Sequence, residues 1–222
     1  MEAYGVIFDM DGVLVDSYGP HYESWRITSE RRGYALPEPV FRAIFGQINV
    51  AIIPAITGRT YSPAEAGAWG EEKEEVYREI LSRRFPAMPG AGELLDALHA
   101  DGARLAIGSS GPPENVAIVF DRLPAARRIR AVVTGRDVRT GKPDPEVFLI
   151  AAGKLGLPPS ACAVVEDSLA GLEAARRAGA AAIALVGTAD RATLAPQSDL
   201  VVDALNELTP ARIRSLVAGR RA

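Results

Sequence analysis

Apolar positions along the chain fall into two textures. Tyr4-Gly5-Val6-Ile7-Phe8 is a short continuous apolar run bounded by turn residues, the pattern of a strand buried on both faces. Runs of the same kind recur at 103–107, 131–133, 161–165, 181–186 and 200–202. Between them the apolar spacing lengthens to the helical period. Helices are predicted over 90–100, with Leu94, Leu95 and Leu98 on one face, and over 115–120, 145–155 and 168–178, with a short one after Pro210. Strands alternating with helices predict an α/β protein with a doubly wound parallel sheet. Residues 17–85 break the pattern. Tyr18, Tyr22 and Trp25 recur at helical spacing, Pro37 and Pro39 interrupt, and Phe41, Ile44 and Phe45 resume. A break over 54–63 then leads into a helix over 64–84. Nothing here alternates like a strand, so a small all-helical cap is expected, inserted after the first strand. The expected domains are a core of 1–16 plus 86–222 and a cap of 17–85.

Composition narrows the function classes. Hydrophobic residues make up 48% and charged residues 24%, ordinary for a globular protein with a sizeable core. A net charge of −3 supplies no basic field, so neither nucleic acid nor an anionic membrane is an expected partner. No apolar run is long enough to cross a bilayer, and Met1-Glu2-Ala3-Tyr4 lacks the basic start of a signal peptide. One cysteine, Cys162, permits no internal disulfide and suits a reducing compartment. The expected location is the cytoplasm, as a monomer or weak homo-oligomer.

Candidate chemistry gathers at the carboxyl ends of the predicted strands, where open parallel sheets bind ligands. The first strand delivers Asp9 and Asp11, followed at once by Gly12. If the strand stays extended through Asp11, both carboxylates share a face, and a shared proton or a cation such as Mg²⁺ must relieve their repulsion. The alternative is a strand ending in an Asx-type turn. The second strand delivers Ser109 and Ser110, with hydroxyls and backbone N–H groups at a helix start that would cradle phosphate. The third leads to Lys142, and the fourth ends at Glu166-Asp167. Lys142 is one of only three lysines beside 22 arginines. A compact ammonium suits a place between a carboxylate and a phosphoryl oxygen, where a forked guanidinium would not fit.

In order and spacing, Asp9-x-Asp11-Gly12-Val13, Ser109, Gly141-Lys142-Pro143 and Glu166-Asp167-Ser168 resemble the haloacid dehalogenase superfamily. The helical insert resembles the cap of its β-phosphoglucomutase-like subgroup. The resemblance covers essentially the whole chain. It implies Asp9 as nucleophile forming an aspartyl-phosphate and Asp11 as general acid and base. It also implies Ser109 and Lys142 as holders of the phosphoryl oxygens, and Mg²⁺ bound by Asp9, Asp11, Glu166 and Asp167. Asp137 is expected to brace the Lys142 loop.

For the cap, the resemblance aligns His21 with a histidine that faces the active site; on the residues alone it is a helix position beside Trp25. Gln47 and Asn49 lie in the cap loop Gly46-Gln47-Ile48-Asn49, and with His21 and Ser110 they are the expected substrate contacts. Trp25 and Trp69 are expected in cap packing. The acidic run 71–75 is expected on a solvated helix face unless Lys73 turns inward. Glucose-phosphate mutases of the subgroup carry an arginine where this chain has Asn49, and a neutral amide is a poor holder of a second phosphate. The expectation is therefore a Mg²⁺-dependent phosphatase acting on a small phosphorylated metabolite, a sugar or polyol phosphate. A phosphomutase is the alternative, and a non-catalytic phospho-binding module a remote one.

Overall fold

The computed structural model describes residues 2–46 and 49–221. Contacts within the chain divide it into two compact units, 1–16 with 87–222 and 17–86.

The larger unit is built on a six-stranded sheet in the order β3-β2-β1-β4-β5-β6, with every recorded pairing parallel. Its strands are β1 (Gly5–Phe8), β2 (Arg104–Gly108), β3 (Ile129–Val133), β4 (Cys162–Glu166), β5 (Ala181–Leu185) and β6 (Leu200–Val202). β1 pairs with β2 on one side and β4 on the other, and each of its residues is buried. A strand covered on both faces has no use for alternation, which is why these segments read as unbroken apolar runs. The chain lays β2 and β3 to one side of β1, then returns to lay β4, β5 and β6 to the other. The order therefore reverses between β1 and β4, and the crevice beyond their carboxyl ends is where such sheets take ligands.

Helices α7 (Glu146–Leu155) and α8 (Leu169–Ala178) cover one core cluster. There Phe148, Ala151, Leu172 and Ala175 pack with Ile7, Ala106, Val164 and Ala182 of the sheet. The alanines let helix and sheet approach closely while Phe148 fills the centre, as interior packing density requires. α5 (Ala91–Ala100), α6 (Pro113–Arg122), α9 (Arg191–Leu194) and α10 (Pro210–Arg221) complete the unit. α6 is longer than its apolar run predicts, because Pro113 is accommodated at the first helical position. The 3₁₀ turn 124–128 and α9 carry too few apolar residues to show as periodic segments.

The smaller unit contains α1 (Tyr18–Glu30), α2 (Glu38–Ile44), α3 (Asn49–Thr57) and α4 (Pro63–Arg83). Trp25, Leu36, Phe41, Ile44, Ile52, Ile53, Ala66 and Trp69 form its core. Ser62 and Glu65 close a reciprocal capping box at the start of α4. Pro54, expected to mark a break, instead lies inside α3. Proline removes one backbone donor, and the burial of Ile52 and Ile53 beside it holds the short helix in place. Among the described residues no helix is long and apolar enough to cross a membrane.

Candidate active site

β1 stops at Phe8, and Asp9 keeps one more sheet contact through its N–H to the Val165 carbonyl at 3.0 Å. The chain then turns sharply. The Met10 carbonyl accepts from Leu14 and Val15 N–H at 2.9 and 3.0 Å, and Gly12 N–H donates to the Val15 carbonyl at 2.8 Å. Gly12 has φ +77°, a conformation that side chains other than glycine resist. Asp11 is thus placed by a turn rather than by continued strand alternation, the two arrangements its sequence left open. Its carboxylate faces the loop after β2, where a Cβ added at Gly111 would lie 3.9 Å from Asp11 Oδ2.

At the end of β2, Ser109 N–H donates to the Val133 carbonyl at 2.9 Å, and Ser109 Oγ accepts from Gly111 N–H at 3.0 Å. That leaves the hydroxyl proton of this buried serine to donate elsewhere. Ser110 beside it is exposed. The expected cradle of helix N–H groups is weaker than its sequence suggested. α6 opens on Pro112-Pro113, neither of which has an N–H, and Asn115 N–H is taken by the Pro112 carbonyl at 3.1 Å. The polar groups offered at this strand end are those of the 109–111 turn.

The loop after β3 brings in Lys142. Asp137 ties its base by accepting from Thr134 N–H and Oγ1, both at 2.8 Å, and the backbone N–H bond leads the effects that hold its carboxyl below the usual range. Glu146 Oε2 accepts from Arg139 and Thr140 N–H at 2.7 and 3.1 Å. The Lys142–Pro143 peptide is cis. From this braced loop Lys142 Nζ reaches Asp9 Oδ1 and Glu166 Oε1, each at 2.6 Å.

Glu166 is 1% exposed, and its other oxygen, Oε2, accepts from Asp167 N–H, Ser168 N–H and Ser168 Oγ at 2.8, 2.8 and 2.9 Å. Both oxygens are therefore engaged. Glu166 thus ties Lys142 to the start of α8, beside the other carboxylates expected to hold the metal. Gly171 makes room for it: a Cβ there would overlap the Glu166 carboxyl group. Gly171→Ala is expected to push Glu166 off Lys142 and its three donors, lowering thermal stability by about 2 kcal/mol. Melting curves for the variant check this, and an unchanged melting temperature would show the carboxylate is not pinned. Asp167 is 5% exposed and accepts from the hydroxyl of Thr188.

The electrostatics follow from crowding. Four carboxyl groups, Asp9, Asp11, Glu166 and Asp167, gather at these strand ends, where the buried Lys142 ammonium pairs with Asp9 and Glu166. Burial, with the charges of Glu166 and Asp11, pushes Asp9 up to about 7 although Lys142 pulls it down. Burial and the charges of Glu166 and Asp9 carry Asp167 well above the usual carboxylate range. Burial disfavours the Lys142 charge, but Asp9 and Glu166 outweigh it and hold Lys142 above an ordinary lysine. The carboxyl groups crowd one another enough to push Asp9 and Asp167 toward the neutral form, and the donors they offer are all oxygen. That is the environment a hard divalent cation suits. Among the described residues no three His, Cys, Asp or Glu side chains form a ready ligand group. This set fits Mg²⁺, which binds through one or two carboxylates and keeps the rest of its shell for water and phosphate.

Of the expected cap residues, His21 is half-buried, stacked on Tyr77 at 4.1 Å, with Nδ1 2.7 Å from Lys73 Nζ. Lys73 does turn inward: it is 1% exposed and pairs with Glu74 at 2.9 Å. Trp25 and Trp69 are buried within the unit's core. Gln47 lies outside the described residues, and Asn49 is the first residue of α3. Thr188 was missed by sequence reading. It follows β5, beside β4, so the strand-end rule that selected Glu166 and Asp167 would have reached it.

Residues 5–179 match the haloacid dehalogenase-like hydrolase family, and the chain is an enzyme of that family. It is 34% identical to hexitol phosphatase A of Escherichia coli over 94% of each chain. It is 30% identical to the β-phosphoglucomutase of Bacillus subtilis, over 80% of this chain and 81% of that one. A crystal structure of a family IA haloacid dehalogenase hydrolase from Entamoeba histolytica superposes with a TM-score of 0.89 at 28% identity, covering 98% of this chain and 100% of that one.

Proposed function

We propose that the chain is a Mg²⁺-dependent phosphatase that hydrolyses a small sugar or polyol phosphate through an aspartyl-phosphate on Asp9. The observation that carries this reading is the buried Asp9 carboxylate, gripped at 2.6 Å by Lys142 at the sheet's switch point. In the first step a carboxylate oxygen of Asp9 bonds to phosphorus and the P–O ester bond breaks. Asp11 gives its proton to the departing alcohol oxygen. In the second step Asp11 takes a proton from water, whose oxygen displaces the Asp9 carboxylate and releases inorganic phosphate. Lys142 and Ser109 hold the phosphoryl oxygens, while Glu166 keeps Lys142 in place. Asp9, Asp167 and the Asp11 backbone carbonyl would hold Mg²⁺, which supplies charge neutralisation for the phosphoryl group. Phosphoryl transfer depends mainly on positioning and charge, and these residues supply both.

The hexitol phosphatase likeness over nearly the whole chain supports a polyol or sugar phosphate as substrate. The neutral Asn49 supports water over a second phosphorylated sugar as final acceptor. The test is phosphate release from hexitol phosphates, hexose phosphates and glycerol phosphate, with Mg²⁺ or with EDTA. Release with Mg²⁺ that EDTA abolishes is the expected result. Interconversion of glucose 1- and 6-phosphates without phosphate release would replace it with a mutase.

A further inference from the structure

We infer that Thr188 is a positioning residue for Asp167, and that its hydroxyl sets how tightly the protein grips a divalent cation. The inference rests on the proposed role of Asp167 in holding Mg²⁺. Thr188 is an exposed residue in the loop after β5, yet its Oγ1 donates to Oδ2 of a buried carboxylate 21 positions earlier in the chain. The loop is anchored on both sides. Val186 N–H donates to the Val202 carbonyl at 2.9 Å, extending the sheet by one residue beyond β5. Gly187 N–H donates to the Ala189 carbonyl at 3.3 Å, and Asp190 then caps α9 by accepting from Thr193 N–H at 2.8 Å. Thr188 is the residue that this turn presents to β4.

Among the described residues the Asp167 carboxylate accepts from no other group. The Gly12 backbone closes on the same carboxyl group: an added Cβ there would collide with Oδ2 and come within 3.2 Å of Oδ1. Asp167 is therefore confined by Gly12 but oriented by Thr188. A carboxylate rotates readily about its last bond, and its two oxygens are equivalent until one accepts a hydrogen bond. Thr188 removes that equivalence by committing Oδ2, so that Oδ1 meets the cation without a rotational search. Hydrogen bonds of this kind to ligating carboxylates typically change metal affinity 10- to 100-fold.

The test uses the full chain without substrate, titrated with Mg²⁺ and separately with Mn²⁺ by calorimetry. Thr188→Val keeps the shape and removes the donor; Thr188→Ser restores the donor without the methyl group. The expected result is a dissociation constant about 10-fold weaker in Thr188→Val and within about 3-fold of wild type in Thr188→Ser. Activity lost in Thr188→Val should return at high Mg²⁺. Should Thr188→Val not fold, Thr188→Ala compared with Thr188→Ser carries the same contrast. Wild-type affinity in the donor-less variant, or a serine variant as weak as it, overturns the role of Thr188 alone. A wild-type protein that binds neither cation overturns the metal reading together with it.

Discussion

Asp9→Asn should abolish phosphate release, with activity falling by about 10⁴-fold or more, as for removal of a covalent nucleophile. The asparagine amide has nearly the shape of the carboxylate, and its oxygen can still accept from Lys142. What it lacks is the negative charge that attacks phosphorus. Folding should survive. The ionised Asp9 is a burden to the fold, since burial pushes it up to about 7, and the neutral amide relieves that burden at pH 8. The melting temperature should therefore stay within a few degrees of wild type. A rapid acid quench during turnover should trap a phosphoryl adduct on the wild-type peptide containing Asp9 and none on the variant. Phosphate release above a tenth of wild type would remove Asp9 from the role of nucleophile.

The sheet was legible in the sequence because a strand buried on both faces must be apolar throughout. Six such runs separated by helical periods leave few other architectures. The polar strand ends were legible for the complementary reason: Asp9, Glu166 and Asp167 stand where an apolar run stops, and nothing in a core would call for them. The local geometry was less so. Alternation suggested that Asp9 and Asp11 point the same way because β1 continues, whereas the Met10 carbonyl captures the next turn and ends the strand first. The Pro112-Pro113 pair was in plain view, yet its cost to the helix-start cradle shows only once α6 is known to open there. Glu166 illustrates what sequence position leaves out. Its neighbours mark it as a candidate site residue, but they do not show which groups it meets in the fold. Those partners come from Lys142, 24 residues away, and from backbone groups that carry no sequence signature.

Lys142→Met should be the second severe variant, and its pH dependence separates charge from packing. Methionine occupies similar volume against Phe148 but removes the ammonium that Asp9 and Glu166 share. Removing one partner from a buried ionic cluster costs about 3–5 kcal/mol, or a melting temperature lower by about 10 °C at pH 8. In the wild-type protein Asp9 and Asp167 already lie above their unfolded values, chiefly through burial, and Lys142 pulls both down. Without it both rise further. A group whose folded value is raised contributes stability that is present at low pH and lost as pH rises through that folded value. Below about pH 7 Asp9 is protonated in both folded proteins, so the variant should follow the wild-type slope there; above pH 7, where the wild-type loss levels off, the variant should go on losing stability, and the gap between them should be wider at pH 8 than at pH 4 or 6. Added Mg²⁺ should recover part of the loss at pH 8 by replacing some of the missing positive charge. Activity should fall by about 10³-fold, since the ammonium proposed to hold the transferring phosphoryl oxygens is gone. Lys142→Arg should remain severely impaired, because a forked guanidinium cannot sit 2.6 Å from both carboxylates as a point charge does. Melting curves at pH 4, 6 and 8 decide the matter. A stability gap of equal size at all three values would mean that lost packing, rather than the lost charge, is what the fold misses.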